Sequence, residues 1–385
     1  MERTGRVGLA TIAREWGRIG VLGFGGPPAH ILLLRRLCVE RRGWLGPDEF
    51  EDGIAATNLL PGPASTQLAV FTAWRLRGAP GALVGGVCFV APGLVLILAL
   101  SVLFLAGDPP LWVLGAAAGA GAAVPAVAVQ AATSLIPGSL ARAGRGRSAR
   151  ACWAGYALAG AGAAVLTGPW LVLVLIAAGL AEVAVRARGR GRPGAAALAA
   201  ALPALPVLGG LGAVAWVAFK VGALSYGGGF VIIPLMQDDA VHRYHWMTDG
   251  QFLNAVALGQ VTPGPVVHTV AVVGYAAAGI GGGLLAAAVA FAPSFLFVIL
   301  GGRHFDRLRA DRRVQDFLTG AGPAVIGAIA GSAVPLAVAL GHGWQWVVLA
   351  AALLRLAVAR KGVVLTLLGA GAAGVLAAVA GLPVA

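Results

Sequence analysis

Charge is what this chain has least of. Asp, Glu, Lys and Arg make up 11% of its 385 residues, whereas 59% are hydrophobic, far from the balance of soluble domains. Residues 53–74, 253–302, 317–354 and 362–385 contain none of the four, and between 79 and 139 the only charge is Asp108. A soluble protein with so many buried helices needs charged faces between them, and those are missing. Runs of this length exceed the roughly 20 residues of one spanning helix, so several must be divided by turns.

Acid is absent where it would matter most. No Asp or Glu sits in the middle of an apolar run, which removes the carboxylate relays of cation and proton pumps. Glu15, Glu49, Glu51, Asp52 and Glu182 fall near run edges and are expected on a solvated surface. No GxxxxGK[ST] occurs, so ATP-driven pumping has no seat. Cys38, Cys88 and Cys152 are scattered without a CxxC, which argues against a disulfide framework or a zinc site. No metal and no cofactor are expected. Residues 1–16 are basic and mixed rather than a compact apolar run, so no cleaved signal peptide is expected. The net charge of +13 comes from Arg in short clusters between apolar runs. That is the arrangement of the positive-inside rule, with the lipid bilayer rather than nucleic acid as partner.

What is present is a duplication. Pro61-Gly62-Pro63 recurs as Pro263-Gly264-Pro265, 202 positions later. The same offset carries Phe24-Gly25-Gly26 to Tyr226-Gly227-Gly228, Trp44 to Trp246, Phe50 to Phe252, Gly81 to Gly283 and Phe89 to Phe291. One ungapped register is therefore predicted across the start of both halves. Two homologous halves with helix-breaking residues at matching places in apolar sequence point to a secondary transporter site.

Charge placement orients the chain. If the Arg clusters share the cytoplasmic face, the remaining connections are short and almost uncharged. Segment 79–106 then runs outward and its partner 281–302 inward. The pairs 111–139 and 317–340, and the hairpins 151–167/170–185 and 343–354/362–382, are likewise opposed. An extra span near 194–208 inverts the second copy. The expected fold is an all-α polytopic membrane protein with two inverted-topology repeats whose broken or re-entrant helices meet near the midplane. The repeats are placed at 1–192 and 212–385, with a connecting transmembrane segment at 193–211. The N-terminus is expected in the cytoplasm and the C-terminus outside. Segments 19–34 and 53–74 are flanked by Arg on both sides, and re-entry at 23–28 and 61–63 keeps those clusters on one face. Full spans at these places and their repeats leave the ends where they are.

The candidate site follows from the breaks. Gly25, Gly26, Gly227 and Gly228 allow left-handed backbone and close approach of a ligand, while Pro61, Pro63, Pro263 and Pro265 around Gly62 and Gly264 stop helices. Helices restarting after each break would aim positive dipole ends at a shared anion pocket. The plain alternative is close helix packing at Gly and simple kinks at Pro. Asn58 and its partner Gln260, with Thr262, flank the prolines and offer donors for an oxyanion, against the alternative that hydroxyls and amides satisfy broken backbone. Lys220 is the only charge between Arg192 and Asp238 and aligns with Arg18; a substrate role competes with snorkelling to an interface. His268, three residues past the second Pro-Gly-Pro, is the best titratable candidate, against a packing role. His242 and His245 beside Asp238 and Asp239 form the one enzyme-like cluster and are weighed as a solvated outer loop.

These residues resemble the chromate ion transporter family in its long, two-domain form. The likeness rests on Phe24-Gly25-Gly26-Pro27, Trp44-Leu45, Glu49-Phe50 and Pro61-Gly62-Pro63, then Lys220 to Gly229, Trp246-Met247, Gln251-Phe252, Gln260 and Thr262-Pro263-Gly264-Pro265. It covers nearly the whole chain. The resemblance implies an inner-membrane carrier, not an enzyme, that exports chromate and confers resistance to it, with sulfate as a dianion of the same shape. It also implies that an acid next to the second aromatic is dispensable, since Gln251 stands where many second domains have Glu. Other oxyanions, an anion channel and a homodimeric assembly remain open at this point.

Overall fold

The computed structural model describes residues 7–57, 60, 62–105, 109–144, 146–166, 171–189, 209–225, 232–301, 311–358 and 362–384. Among them the chain is helical, without strands. The first half contains α1 (Leu9–Leu22), α2 (Pro27–Arg35) continued by a π turn (Arg36–Arg41), α3 (Pro47–Thr57), α4 (Ala64–Phe104), α5 (Leu111–Ala143), α6 (Arg147–Leu166) and α7 (Leu171–Gly189). The second contains α8 (Gly210–Leu224), α9 (Ile232–Gln237) with a π turn (Asp238–Arg243), α10 (Asp249–Val261), a 3-10 turn (Val266–His268) leading into α11 (Thr269–Gly301), α12 (Arg312–Val338), α13 (Gly343–Leu353) and α14 (Val363–Val379). Four of these stretches are long and apolar enough to cross a membrane: Ala64–Phe104, Leu111–Ala143, Val266–Gly301 and Arg312–Val338. The chain is a multi-pass membrane protein. The expected connecting span at 194–208 lies outside the described residues.

The two longest of these are not straight rods. In α4 the backbone leaves helical values at Arg77 and Gly78, the latter at φ +65°. A Cβ added to Gly85 would then lie 2.5 Å from Cβ of Ala73. Residues twelve apart in a straight helix are separated by about 18 Å, so the chain reverses at Gly78. It does the same at Ala278 and Gly279, where φ is +62°, and Gly274 faces Ala286. Each half thus places a short returning limb beside a long outgoing one.

The reversals also correct the expected register. Gly78 and Gly279 are 201 apart, as are the packing equivalents Phe89 and Ala290, whose carbonyls lie against Gly20 and Gly222. Gly81 therefore matches Gly282, not Gly283, and Phe89 matches Ala290, not Phe291. The cause is local. The first half enters α4 directly after Pro63, whereas the second makes a 3-10 turn after Pro265. Three 3-10 residues rise about 2.0 Å each against about 1.5 Å in an α-helix, and so save one residue over the same length.

Ion pairs gather the ends of the first half's hairpins at one face. Arg42 binds Glu15 at 2.6 Å, and Arg35–Glu51 and Arg75–Glu49 tie α2, α3 and the α4 reversal together. Glu15, expected at a solvated surface, is buried by this pairing, and Glu182 is buried against Arg186 and Tyr156. The second half's hairpins close at the opposite face, where Lys220 binds Asp239 and Gln237 donates to Asp249 at 2.8 Å. That face also collects Leu105, Leu114, Asn254, Gln345 and Val384 around one cavity.

The outgoing limbs of α4 and α11 pack antiparallel. Gly86 faces Phe295 while Gly283 faces Leu98, so residue numbers fall on one as they rise on the other. The terminal hairpins are exchanged between halves: α6 and α7 pack on α12, and α13 and α14 on α5. Glycine makes these contacts close, with Gly160 against Ala324 and Gly374 against Gly115 backbone to backbone, the small-residue packing usual between membrane helices.

Candidate functional site

The site forms where the broken segments cross. Gly25 and Gly26 take φ of +98° and +73°, and Gly62 and Gly264 take +123° and +105°. L side chains rarely adopt such values, so these turns need glycine. With helical bonding interrupted, each turn finds a partner in the opposite half. The Gly62 N–H donates to the Ser225 carbonyl at 2.8 Å, and the Gly264 N–H donates to the Gly23 carbonyl at 2.9 Å. Ser225 lies 202 positions after Gly23, as Gly264 lies after Gly62. The two bonds are thus one contact repeated by a pseudo-twofold axis.

Around this crossing is a polar core. His30, Thr66, Ser225, His268 and Ser294 are all 0% exposed. Nε2 of His30 lies 2.9 Å from the Gly23 carbonyl, which therefore meets two nitrogens. His30 and His268 each set an edge against a phenylalanine, Phe89 at 5.0 Å and Phe291 at 5.2 Å. The hydroxyls of Thr66, Ser225 and Ser294 and Nε2 of Gln260 have no partner among the described residues. Neither ring nitrogen of His268 has one of good geometry either, although the Val90 backbone approaches the ring. Buried polar groups are nearly always paired. Five in one place leave hydrogen-bonding capacity for something else.

A cavity of about 390 Å³ adjoins this core. Gly25 and Gly26 form one side, and Gln260 reaches in from α10. Ala64 and Val266, the first residues after the two Pro-Gly-Pro turns, both line it. The amides of Ala64, Ser65, Val266 and Val267 precede the first internal bonds of their helices, so two symmetry-related N-termini converge here with donors unspent. Gln130 and Ser134 complete the wall from α5. Among the described residues no charged side chain lines it.

Several expected residues sit otherwise. Asn58, Pro61, Gly227 and Gly228 lie outside the described residues. Pro63 and Pro265 serve as N-caps, and the Pro263 carbonyl abuts Gly93, where a Cβ would not fit. Thr262 donates its hydroxyl to the Leu258 carbonyl at 3.0 Å, the backbone-satisfying role. Lys220 does not line the cavity; its ammonium is held by Asp239, 2% exposed, and lies over Trp216. α2 opens on Pro27 and Pro28, so this helix end offers its dipole without its first amides. His242 and His245 are exposed, as expected of a solvated segment, although His242 sits in a π turn rather than a loop, and no group of three metal-ligating side chains occurs among the described residues.

Ser225, Ser294, Gln130 and Ser134 were not singled out from sequence. One signal was available for α5. Gly119-Ala-Gly-Ala-Ala-Val124 recurs as Gly320-Ala-Gly-Pro-Ala-Val325, 201 positions on, visible once the shortened register is known.

A family model described as Chromate transporter matches residues 10–183 and 212–375. The chain is 33% identical over 329 residues to a chromate transport protein of Cupriavidus metallidurans, covering 83% of this chain and 80% of that one. It is 33% identical over 341 residues to a chromate transport protein of Pseudomonas aeruginosa, covering 83% and 79%. With a probable chromate transport protein of Synechococcus elongatus the identity is 28% over 340 residues, covering 85% and 84%. No solved structure matches the chain.

Proposed function

Because the chain belongs to the chromate transporter family, we propose that it is a secondary carrier that moves chromate out of the cell across the inner membrane and so confers resistance. The observation that carries this reading is the meeting of two symmetry-related helix N-termini, Ala64 and Val266, at one cavity beside the crossed turns. Amides, the Gln260 side chain and the dipoles of both limbs suit a compact oxyanion. A dianion held by neutral donors brings its own charge into a site whose described lining carries none. No fixed lysine or arginine has to be neutralised when the site is empty.

The halves rock about the reciprocal Gly62–Ser225 and Gly264–Gly23 bonds, so that the cavity opens to one face and then the other. The repeats are the two matched stretches, inverted relative to each other, with the first half's hairpin ends and the N-terminus in the cytoplasm and the C-terminus outside. The membrane potential, inside negative, favours anion exit by roughly 2.3 kcal/mol per charge per 100 mV, so efflux of a dianion runs downhill without a carboxylate relay. Sulfate, with the same shape and charge, is the natural competitor.

Everted vesicles test this. An imposed potential, inside positive, should drive saturable accumulation of labelled chromate that excess sulfate reduces and Gln260→Leu lowers. Absence of accumulation in the wild type overturns the carrier reading. Non-saturating current through liposomes would mark an anion channel instead.

A further inference from the structure

The pseudo-symmetry of the chain supplies an internal comparison for its surface. Between α1 and the returning α2 lies an open groove of about 450 Å³. Arg18, Arg36 and Arg41 line it, all exposed and without an ion-pair partner among the described residues. Two carboxylates also reach it, but Glu15 is held by Arg42 at 2.6 Å and Glu40 by Arg35 at 3.8 Å. The rest of the lining is apolar, made by Ile19, Leu22, Leu33 and Leu37. Val21, Leu22 and Leu32, on the same hairpin, are 51%, 53% and 46% exposed.

The matching positions of the second half carry different charge. At the positions of Arg18, Arg36 and Arg41 stand Lys220, Asp238 and Arg243, and Leu37 is replaced by Asp239. Lys220 is closed onto Asp239. The π turns Arg36–Arg41 and Asp238–Arg243 stand in register, yet the unpaired arginines belong to the first copy, beside Arg35, Arg42 and Arg75.

We infer that the α1–α2 groove seats an anionic phospholipid, with its phosphate on the guanidiniums of Arg18, Arg36 and Arg41 and its acyl chains along Leu22, Leu32 and Leu33. A free oxyanion uses only the guanidiniums and leaves the apolar wall bare. A lipid with a net negative head satisfies both, and basic pockets between helices at the cytoplasmic side are where such heads bind. This inference does not rest on which anion the protein carries.

The test is lipid titration of the purified full-length protein, read by native mass spectrometry and by melting midpoint. Phosphatidylglycerol should bind and stabilise more than phosphatidylcholine of the same chains. Arg18→Gln/Arg36→Gln/Arg41→Gln should weaken phosphatidylglycerol binding by about tenfold or more, with phosphatidylcholine unaffected. Replacing Arg142, Arg147 and Arg150 by Gln should keep the preference. Arg36→Gln alone, with a smaller effect in the same direction, serves if the triple variant does not fold. Equal response to the two lipids, a preference that survives the groove substitutions, or the same stabilisation from inorganic phosphate overturns the inference.

Discussion

Gly264→Ala tests the crossed turns most directly. Gly264 has φ +105° and donates its N–H to the Gly23 carbonyl at 2.9 Å. An added Cβ costs about 1–2 kcal/mol in backbone strain. That Cβ would lie 2.8 Å from Cε1 of His268, a ring fully buried and set against Phe291, so the ring has little room to yield and overpacking adds about 1–3 kcal/mol. Weakening the inter-half bond adds about 1 kcal/mol. The variant should lose about 4 kcal/mol of stability, most of it at the site. Gly62→Ala should lose less, because its Cβ meets the Gln67 amide end at 2.5 Å, the far end of a flexible chain. Gly279→Ala, at φ +62° with nothing within 4 Å of the new Cβ, carries the strain alone, about 1–2 kcal/mol. Thermal unfolding in one detergent, with chromate flux in vesicles, should rank the variants Gly279→Ala, Gly62→Ala, Gly264→Ala from mildest to worst. If all three melt together, or if Gly264→Ala transports like the wild type, the reciprocal contact is not what joins the halves.

Other outcomes follow from the same geometry. Ser294→Ala removes an unpaired buried hydroxyl and should leave the melting midpoint in place; if the hydroxyl meets the anion, chromate flux falls by about tenfold. Lys220→Met leaves Asp239 buried without its cation and should destabilise by about 3 kcal/mol, while Lys220→Met/Asp239→Leu recovers much of that loss; an unchanged midpoint in the single variant would contradict the pairing. Gly374→Val drives a side chain into the Gly115 backbone and should detach α14 from α5, seen as protease sensitivity of the C-terminal hairpin. His242→Ala/His245→Ala should transport chromate at the wild-type rate, measured in the same vesicle assay.

The wider organisation was legible in residues because it depends on where charge is scarce and where helices must stop. Glycine and proline act through their own backbones, so Gly25, Gly26, Gly62 and Gly264 could be picked out before any packing was known. Other readings failed where a partner decides the role. Lys220 looked like a lone buried cation, but its carboxylate arrives from Asp239 on the returning arm, and nothing in linear spacing signals that hairpin closure. For Thr262 the choice between holding an anion and satisfying backbone went to the backbone, because helix geometry brings the Leu258 carbonyl within reach.

Composition and the duplicated breaks alone determined that this is a polytopic helical protein built from two related halves with interrupted segments in apolar surroundings. Those properties follow from solvation and backbone chemistry, which act residue by residue. Only the tertiary structure decided that the turns bind each other across a twofold axis, that the terminal hairpins change partners, and that one residue drops out of the second copy. These are matters of which surfaces meet, and a single 3-10 turn after Pro265 is enough to shift the register of every contact that follows.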